Sequence, residues 1–338
     1  MRRSTKITTL VAAAVAVVGI SRCDPRRPGE PAPVTPEARL EGGVVRHDLR
    51  FPCGDATCAG WLYLPATQSP APVVVMGHGF AGTRDAGLPL MAERLARAGF
   101  AAFAFDYRHF GASGGVPRQI VDPARQLEDW HAAIRFVRSR DDVDGSRVAL
   151  FGSSLGGGHA LLVAAADPEV RAVVAQAPLV DGSVEGEATS YGAGWITRIL
   201  LTGWLDLALS SLGAEPVLVP AIAPHDGFGM IVDDAAYASF ERIVEPGTTY
   251  RNAIAARSPF LFDDYDPATT AATLRAPVLL IASKGDRFAP FSAVESYRER
   301  ASDAEIALFQ GDHFDVYSPP ASTQAGDATT AFLEKHLR

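Results

Sequence analysis

The chain has 338 residues, of which 47% are hydrophobic and 21% charged, with 31 glycines and 24 prolines, a content too apolar for a disordered protein. Lys+Arg of 31 against Asp+Glu of 39 gives a net charge of −8, and basic residues cluster only in two arginine pairs near the N-terminus, so no nucleic-acid partner is expected. The length fits one large α/β domain or two small ones, and three cysteines are too few for a disulfide-built fold or a cysteine-rich zinc site.

Residues 1–22 read as an export signal. Arg2, Arg3 and Lys6 precede an apolar run over 10–20, which at eleven residues is too short to span a bilayer comfortably. Cleavage near Gly19-Ile20-Ser21 would deliver the protein to the cell envelope or the extracellular space. Lipid attachment at Cys23 and an uncleaved anchor stay open, although Arg22 stands where a lipoprotein signal has a small residue. Residues 23–40 form a Pro-rich linker, because five prolines between 24 and 36 keep the backbone extended and unable to pack. The folded domain is placed at 41–338.

Strand-like stretches at 44–51 and 60–64 flank Cys53-Gly54-Asp55-Ala56-Thr57-Cys58, so the two cysteines face each other across a hairpin. A bridge in an oxidising compartment and two half-buried thiols are both compatible with this, and either would be structural. Apolar runs at 72–77, 100–107, 147–152, 170–178 and 277–283 are bounded by Gly, Pro or Asp, the pattern of parallel strands buried on both faces. Between them lie helical stripes. Leu88, Met91, Leu95 and Ala98 share a face that closes on Gly99, and Leu127, Trp130, Ile134 and Val137 follow an Asp122 cap and a first-turn Pro123. This alternation predicts the α/β class, with a mostly parallel central sheet flanked by helices.

The rhythm stops for about ninety residues before the next strand, too long for a plain loop. The segment 181–273 is read as a helical lid inserted before the last strands, with helices expected over 195–212, 235–244 and 252–260. Arg198 and Asp206 interrupt the apolar 195–212 stretch and argue against a membrane span. Its apolar content predicts a partly greasy pocket.

Gly152-Ser153-Ser154-Leu155-Gly156 fits G-x-S-x-G and sits between a strand and a small-residue helix, the context that the motif requires. Ser154 is the candidate nucleophile, exposed on a strained turn at a helix N-terminus. A serine hydroxyl needs a base, and of the eight histidines His313, after the strand-like stretch 305–309, is placed best. His47, His131, His159, His225 and His336 fit helix, strand or lid positions instead. Asp286, ending the strand 277–283, supplies the carboxylate that orients the imidazole, in the chain order Ser, Asp, His; Asp181 is its rival. The backbone N–H groups of Phe80, in Gly77-His78-Gly79-Phe80, and of Leu155 are the expected oxyanion donors. His78 reads as a brace for that loop, Thr83-Arg84-Asp85 as a salt-bridged loop, and Arg108-His109-Phe110-Gly111 with Ser113 as its buttress. No cofactor or metal is expected, since His and acidic residues do not recur at ligand spacing on one helix.

These motifs, together with Asp106-Tyr107-Arg108 and Gly311-Asp312-His313, make the chain resemble the serine α/β-hydrolases from about Val45 to its end. Within that superfamily it is similar to the dienelactone-hydrolase-like and X-Pro-dipeptidyl-peptidase-like group, which includes fungal polyketide acyltransferases. Ser154 stands where dienelactone hydrolases proper have cysteine, and the extra domains of the dipeptidyl peptidases are missing, so the resemblance implies fold and triad but not substrate. The expectation is hydrolysis of a carboxylic ester, on a small, partly apolar acyl substrate, through an acyl-enzyme. Acyl transfer or amide cleavage on the same triad is the chemical alternative, and a ligand-binding protein on a hydrolase scaffold the non-enzymatic one.

Overall fold

The computed structural model describes residues 37–67, 70–181 and 191–338. The signal at 1–22, most of the linker and the start of the lid insertion lie outside the described residues. A nine-stranded sheet runs through the molecule in the order β1-β2-β3-β5-β4-β6-β7-β12-β13. Its strands are β1 (Glu37–Arg39), β2 (Val45–Cys53), β3 (Ala56–Leu64), β4 (Ala71–Gly77), β5 (Ala101–Asp106), β6 (Val143–Ser153), β7 (Val170–Gln176), β12 (Val278–Ala282) and β13 (Ala304–Leu308). The first three and β5 pair antiparallel, and every pairing from β5 to β13 is parallel. The sheet thus begins four residues before Glu41, inside the stretch assigned to the linker. After Pro36 the backbone again has N–H groups to offer, and Glu37–Arg39 pairs with Val45–His47.

The continuous apolar runs are explained by two cores. Val73 and Val75 of β4 face one side with Phe103, Phe105 and Leu150, and Val74 and Met76 face the other with Ala102, Ala104 and Phe151. The first side is covered by α2 (Pro123–Arg138), α3 (Leu155–Ala166) and α6 (Phe291–Arg300), through Trp130, Ile134, Leu161 and Tyr297. The second is covered by α1 (Pro89–Arg97) and α7 (Ala321–Leu337), through Leu95, Phe332 and Leu333. Helix ends follow the sequence signals: Asp122 Oδ1 accepts the Arg125 N–H at 3.2 Å, and Gly99 leaves α1 at φ 91°. At the β2–β3 hairpin, Cys53 and Cys58 are joined by a disulfide.

Between β7 and β12, the described part of the insertion carries α4 (Gly192–Ser210) and α5 (Asp234–Ile243) and two small ladders. β8 (Leu218–Val219) pairs antiparallel with β11 (Ile254–Ala255), and β9 (Ile222–Ala223) pairs parallel with β10 (Ile231–Val232). The helix expected over 252–260 is therefore a strand followed by a 3₁₀ turn, Ser258–Leu261. Its backbone donors are claimed elsewhere: Ala255 N–H donates to Gln119 O at 2.7 Å and Ala256 N–H to Val217 O at 2.8 Å. Asp206, which breaks the apolar run of α4, is fully buried and accepts the N–H groups of Val217 at 2.8 Å and Arg257 at 3.0 Å. Among the described residues no helix is long and apolar enough to cross a membrane.

Candidate active site

Ser154 stands at the turn from β6 into α3 with φ 56° and ψ −121°, a conformation that a non-glycine residue adopts only when its surroundings impose it. Those surroundings are the flanking glycines. A Cβ on Gly152 would lie 1.9 Å from Gly156 O, and one on Gly156 would lie 2.5 Å from His78 O. The tight crossing fixes Ser154 N–H on Gln176 O at 2.8 Å and turns the hydroxyl out of the sheet. The neighbouring Ser153 is buried instead, its Oγ 2.6 Å from Tyr317 Oη and accepting from Gln176 Nε2 at 3.1 Å.

Ser154, His313 and Asp286 are brought together. Ser154 Oγ lies 3.0 Å from His313 Nε2, and His313 Nδ1 lies 2.8 Å from Asp286 Oδ2. Asp286 Oδ1 accepts the N–H groups of Phe288 at 2.9 Å and Ala289 at 2.7 Å, which holds the carboxylate toward the ring. With that acceptor on Nδ1, the proton sits there and Nε2 presents its lone pair to the serine hydroxyl. The carboxylate hydrogen-bonded to His313 is that of Asp286, the residue preferred over Asp181 in the sequence. His313 itself opens a short 3₁₀ turn, capped by Asp312 Oδ1 accepting its N–H at 2.7 Å.

The Phe80 loop crosses directly over Ser154, since a Cβ on Gly79 would meet Ser154 Cβ at 2.9 Å. Leu155 is the first residue of α3, and its N–H has no intrahelical partner. Several buried groups brace this loop. His78 Nδ1–H donates to Gly79 O at 2.9 Å, Trp130 Nε1–H donates to Tyr107 Oη at 2.8 Å, and Tyr107 O–H donates to His78 O at 3.3 Å. Asp106 accepts the N–H groups of Arg84 at 2.7 Å and Ala112 at 3.0 Å. Arg84 also bridges to Asp48 at 3.2 Å, as befits a salt-bridged loop.

Burial keeps His78 and His159 neutral. It pushes His78 down to about 4, against the bond to Gly79, and His159 down to about 3, helped by the nearby His78. A depressed folded-state pKa contributes stability that is present above the ordinary 6.5 and lost as pH falls toward the folded value, at about 1.4 kcal/mol per pH unit for each group. Burial raises Asp106 to about 6, which works in the opposite sense, so the difference between two chains isolates one histidine. Urea unfolding of wild type and His159→Gln, whose amide can still donate to Gln126, is expected to show the variant gaining about 1.2 kcal/mol on the wild type from pH 6 to pH 5. A constant difference would mean that His159 titrates normally in the fold.

The Ser154–His313 pair opens into a cavity of about 780 Å³ beneath the lid. Its inner wall is Phe80, Phe288 and Phe314; the lid contributes Trp195, Ile199, Met230, Ile231, Phe240 and Ile243. Composition predicts an apolar lid but not these individual side chains, which come from α4, α5 and the β10 stretch between them. Tyr265 and Arg287 also escaped the sequence reading. Tyr265 O–H donates to Leu155 O at 3.1 Å, and Arg287, immediately after Asp286, lines the mouth.

Comparisons with known proteins agree with this architecture. The sequence is 37% identical over 272 residues to the quorum-quenching protein AidA of Acinetobacter baumannii, covering 80% of this chain and 88% of that one. It is 26% identical to polyketide transferase af380 of Aspergillus fumigatus, covering 86% and 99% of the two chains. The crystal structure of the α/β-hydrolase GrgF from a Penicillium species superposes with a TM-score of 0.73 at 25% identity, over 86% of this chain and 99% of that one. Residues 68–245 match the hydrolase family described as serine aminopeptidase, S33. The chain belongs to that family and has the α/β-hydrolase fold.

Proposed function

We propose that this hydrolase cleaves esters with a large apolar acyl group through an acyl-enzyme on Ser154. The observation that carries the reading is the hydrogen-bonded chain Ser154–His313–Asp286 opening into the apolar cavity. In this mechanism Ser154 Oγ attacks the carbonyl carbon as its proton passes to His313 Nε2. Asp286 keeps Nδ1–H in place and stabilises the imidazolium. The Phe80 and Leu155 N–H groups hold the oxyanion, each removed donor costing about 3 kcal/mol. His313 returns the proton to the leaving oxygen; water, deprotonated by His313, then releases the acid and restores Ser154.

The test is a series of p-nitrophenyl esters together with labelling by a fluorophosphonate. A buried methylene is worth about 0.8 kcal/mol, so even at half that value kcat/KM should rise about tenfold from butyrate to octanoate. A preference for acetate would sink the large acyl group, and a folded chain that is not labelled at Ser154 would sink the nucleophile. Acyl transfer is the second reading, favoured by the likeness to a protein named polyketide transferase. Added alcohol or thiol acceptors that divert more than a trace of the acyl group from water would establish it. An unlabelled chain that still binds fatty acyl probes would instead fit a ligand-binding scaffold.

A further inference from the structure

Arg287 follows Asp286 directly and lines the cavity mouth, yet the chemistry above gives it no task. Its guanidinium is gripped from two sides. Toward the sheet, Nε donates to Asp312 Oδ2 at 2.7 Å, Nη2 donates to the same oxygen, and the backbone N–H reaches Asp312 Oδ1 at 3.3 Å. Toward the lid, Nη1 donates to Asp233 Oδ2 and Nη2 to Asp233 Oδ1 at 3.1 Å. The bonds to Asp233 and then Asp312 raise the guanidinium pKa further, so its charge is permanent. Burial opposes ionisation of Asp233, but the bonds from Arg287 and from the Ala236 and Ala235 N–H groups outweigh it and hold the carboxyl below its ordinary value.

The two carboxylates occupy consequential places. Asp233 caps α5, accepting the Ala236 N–H at 2.7 Å, and α5 carries Phe240 and Ile243 into the cavity wall. Asp312 caps the turn that carries His313, and Asp315 Oδ2 accepts the Asp312 N–H at 2.7 Å to complete a reciprocal cap. Phe240 of the lid also packs edge-on against Phe314, with ring centroids 5.6 Å apart. One side chain thus ties a lid helix, the Asp286 loop and the His313 turn.

We infer that Arg287 is a positioning residue that couples the seating of α5 over a bound acyl chain to the alignment of His313 with Ser154, an inference that rests on the reading of Ser154 as nucleophile. An ion pair whose arginine side chain is 48% exposed adds little to folding, so the coupling is expressed as substrate selectivity rather than stability. On this inference an acetyl group, two carbons long, draws only on the Arg287–Asp312 half. A decanoyl group fills that wall and draws on both halves.

Asp233→Asn keeps the helix cap, because asparagine caps as well as aspartate, and removes the charge that Arg287 grips. Steady-state kinetics of p-nitrophenyl decanoate and acetate are measured for wild type, Asp233→Asn and Arg287→Gln, well below the melting temperature of each. The decanoate-to-acetate ratio of kcat/KM is expected to fall about tenfold in Asp233→Asn, through KM, whereas Arg287→Gln also lowers kcat about tenfold on both substrates. In wild type the ratio should fall about threefold between about 0.05 and 1 M NaCl, and in Asp233→Asn it should not respond to salt. An unchanged ratio in Asp233→Asn overturns the coupling, as does equal salt dependence in the two chains. Fluorophosphonate labelling separates the failures: a wild type not labelled at Ser154 removes the reading and the coupling together, while a labelled one with an unchanged ratio removes only the coupling.

Discussion

Replacing Ser154 by alanine should lower kcat on the preferred ester by about 10⁵-fold or more, with KM little changed, because the substitution deletes the proposed attacking atom and leaves the cavity intact. His313→Ala should cost nearly as much, and the double variant should be no worse than either single one. Groups that act as one device lose nearly all of their effect when any of them goes, so additive losses would argue that the two residues work separately. Activity about a thousandfold above the uncatalysed rate should survive in all three, supplied by binding and by the two backbone donors. The adjacent serine offers no substitute. Ser153 is fully buried, and its hydroxyl is engaged by Tyr317 and Gln176. A Ser154→Ala chain that keeps a tenth of the activity would therefore require a nucleophile outside this site.

Asp286→Asn should lower kcat by about 10⁴-fold. Asparagine retains an oxygen for the Phe288 and Ala289 N–H groups, so the loop and the melting temperature should hold. What changes is the proton. An amide N–H facing His313 donates to Nδ1, drives the imidazole into the tautomer protonated at Nε2, and leaves no lone pair for the serine. The loss should appear in kcat, with fluorophosphonate labelling slowed in proportion and ester KM unaltered. A loss below tenfold would remove Asp286 from the proton path and return Asp181 to consideration.

The parts of this molecule legible in its sequence are those whose cause is local. Strands buried on both faces write themselves as unbroken apolar runs, and the turn at Ser154 can be read because glycines at 152 and 156 answer to a crossing only a few residues long. His313 and Asp286 are candidates through the order of elements rather than through their neighbours, and the structure brings both beside Ser154 because the strand ends converge on one edge. The stretch 252–260 was misread for the complementary reason. Its composition suits a helix, but Ala255 and Ala256 give their N–H groups to Gln119 and Val217, and nothing within the segment announces those partners. Arg287 is similar: a charged residue after Asp286 is visible in the sequence, while its grip on Asp233 depends on how the insertion folds back.

The proposed reacting side chains and the lid side of the cavity come from different stretches of chain, and this separation has an evolutionary consequence. Ser154, His313 and Asp286 follow the ends of sheet strands, whose spacing tolerates little drift, whereas Trp195, Met230, Ile231 and Phe240 sit on separate pieces of the insertion between β7 and β12. Exchanging those pieces would re-tailor the acceptable guest while the proposed Ser154–His313–Asp286 apparatus is inherited unaltered. Lineages descending from one such ancestor can diverge in appetite faster than in chemistry, so shared ancestry among such chains forecasts the attacking atom better than the molecule it attacks.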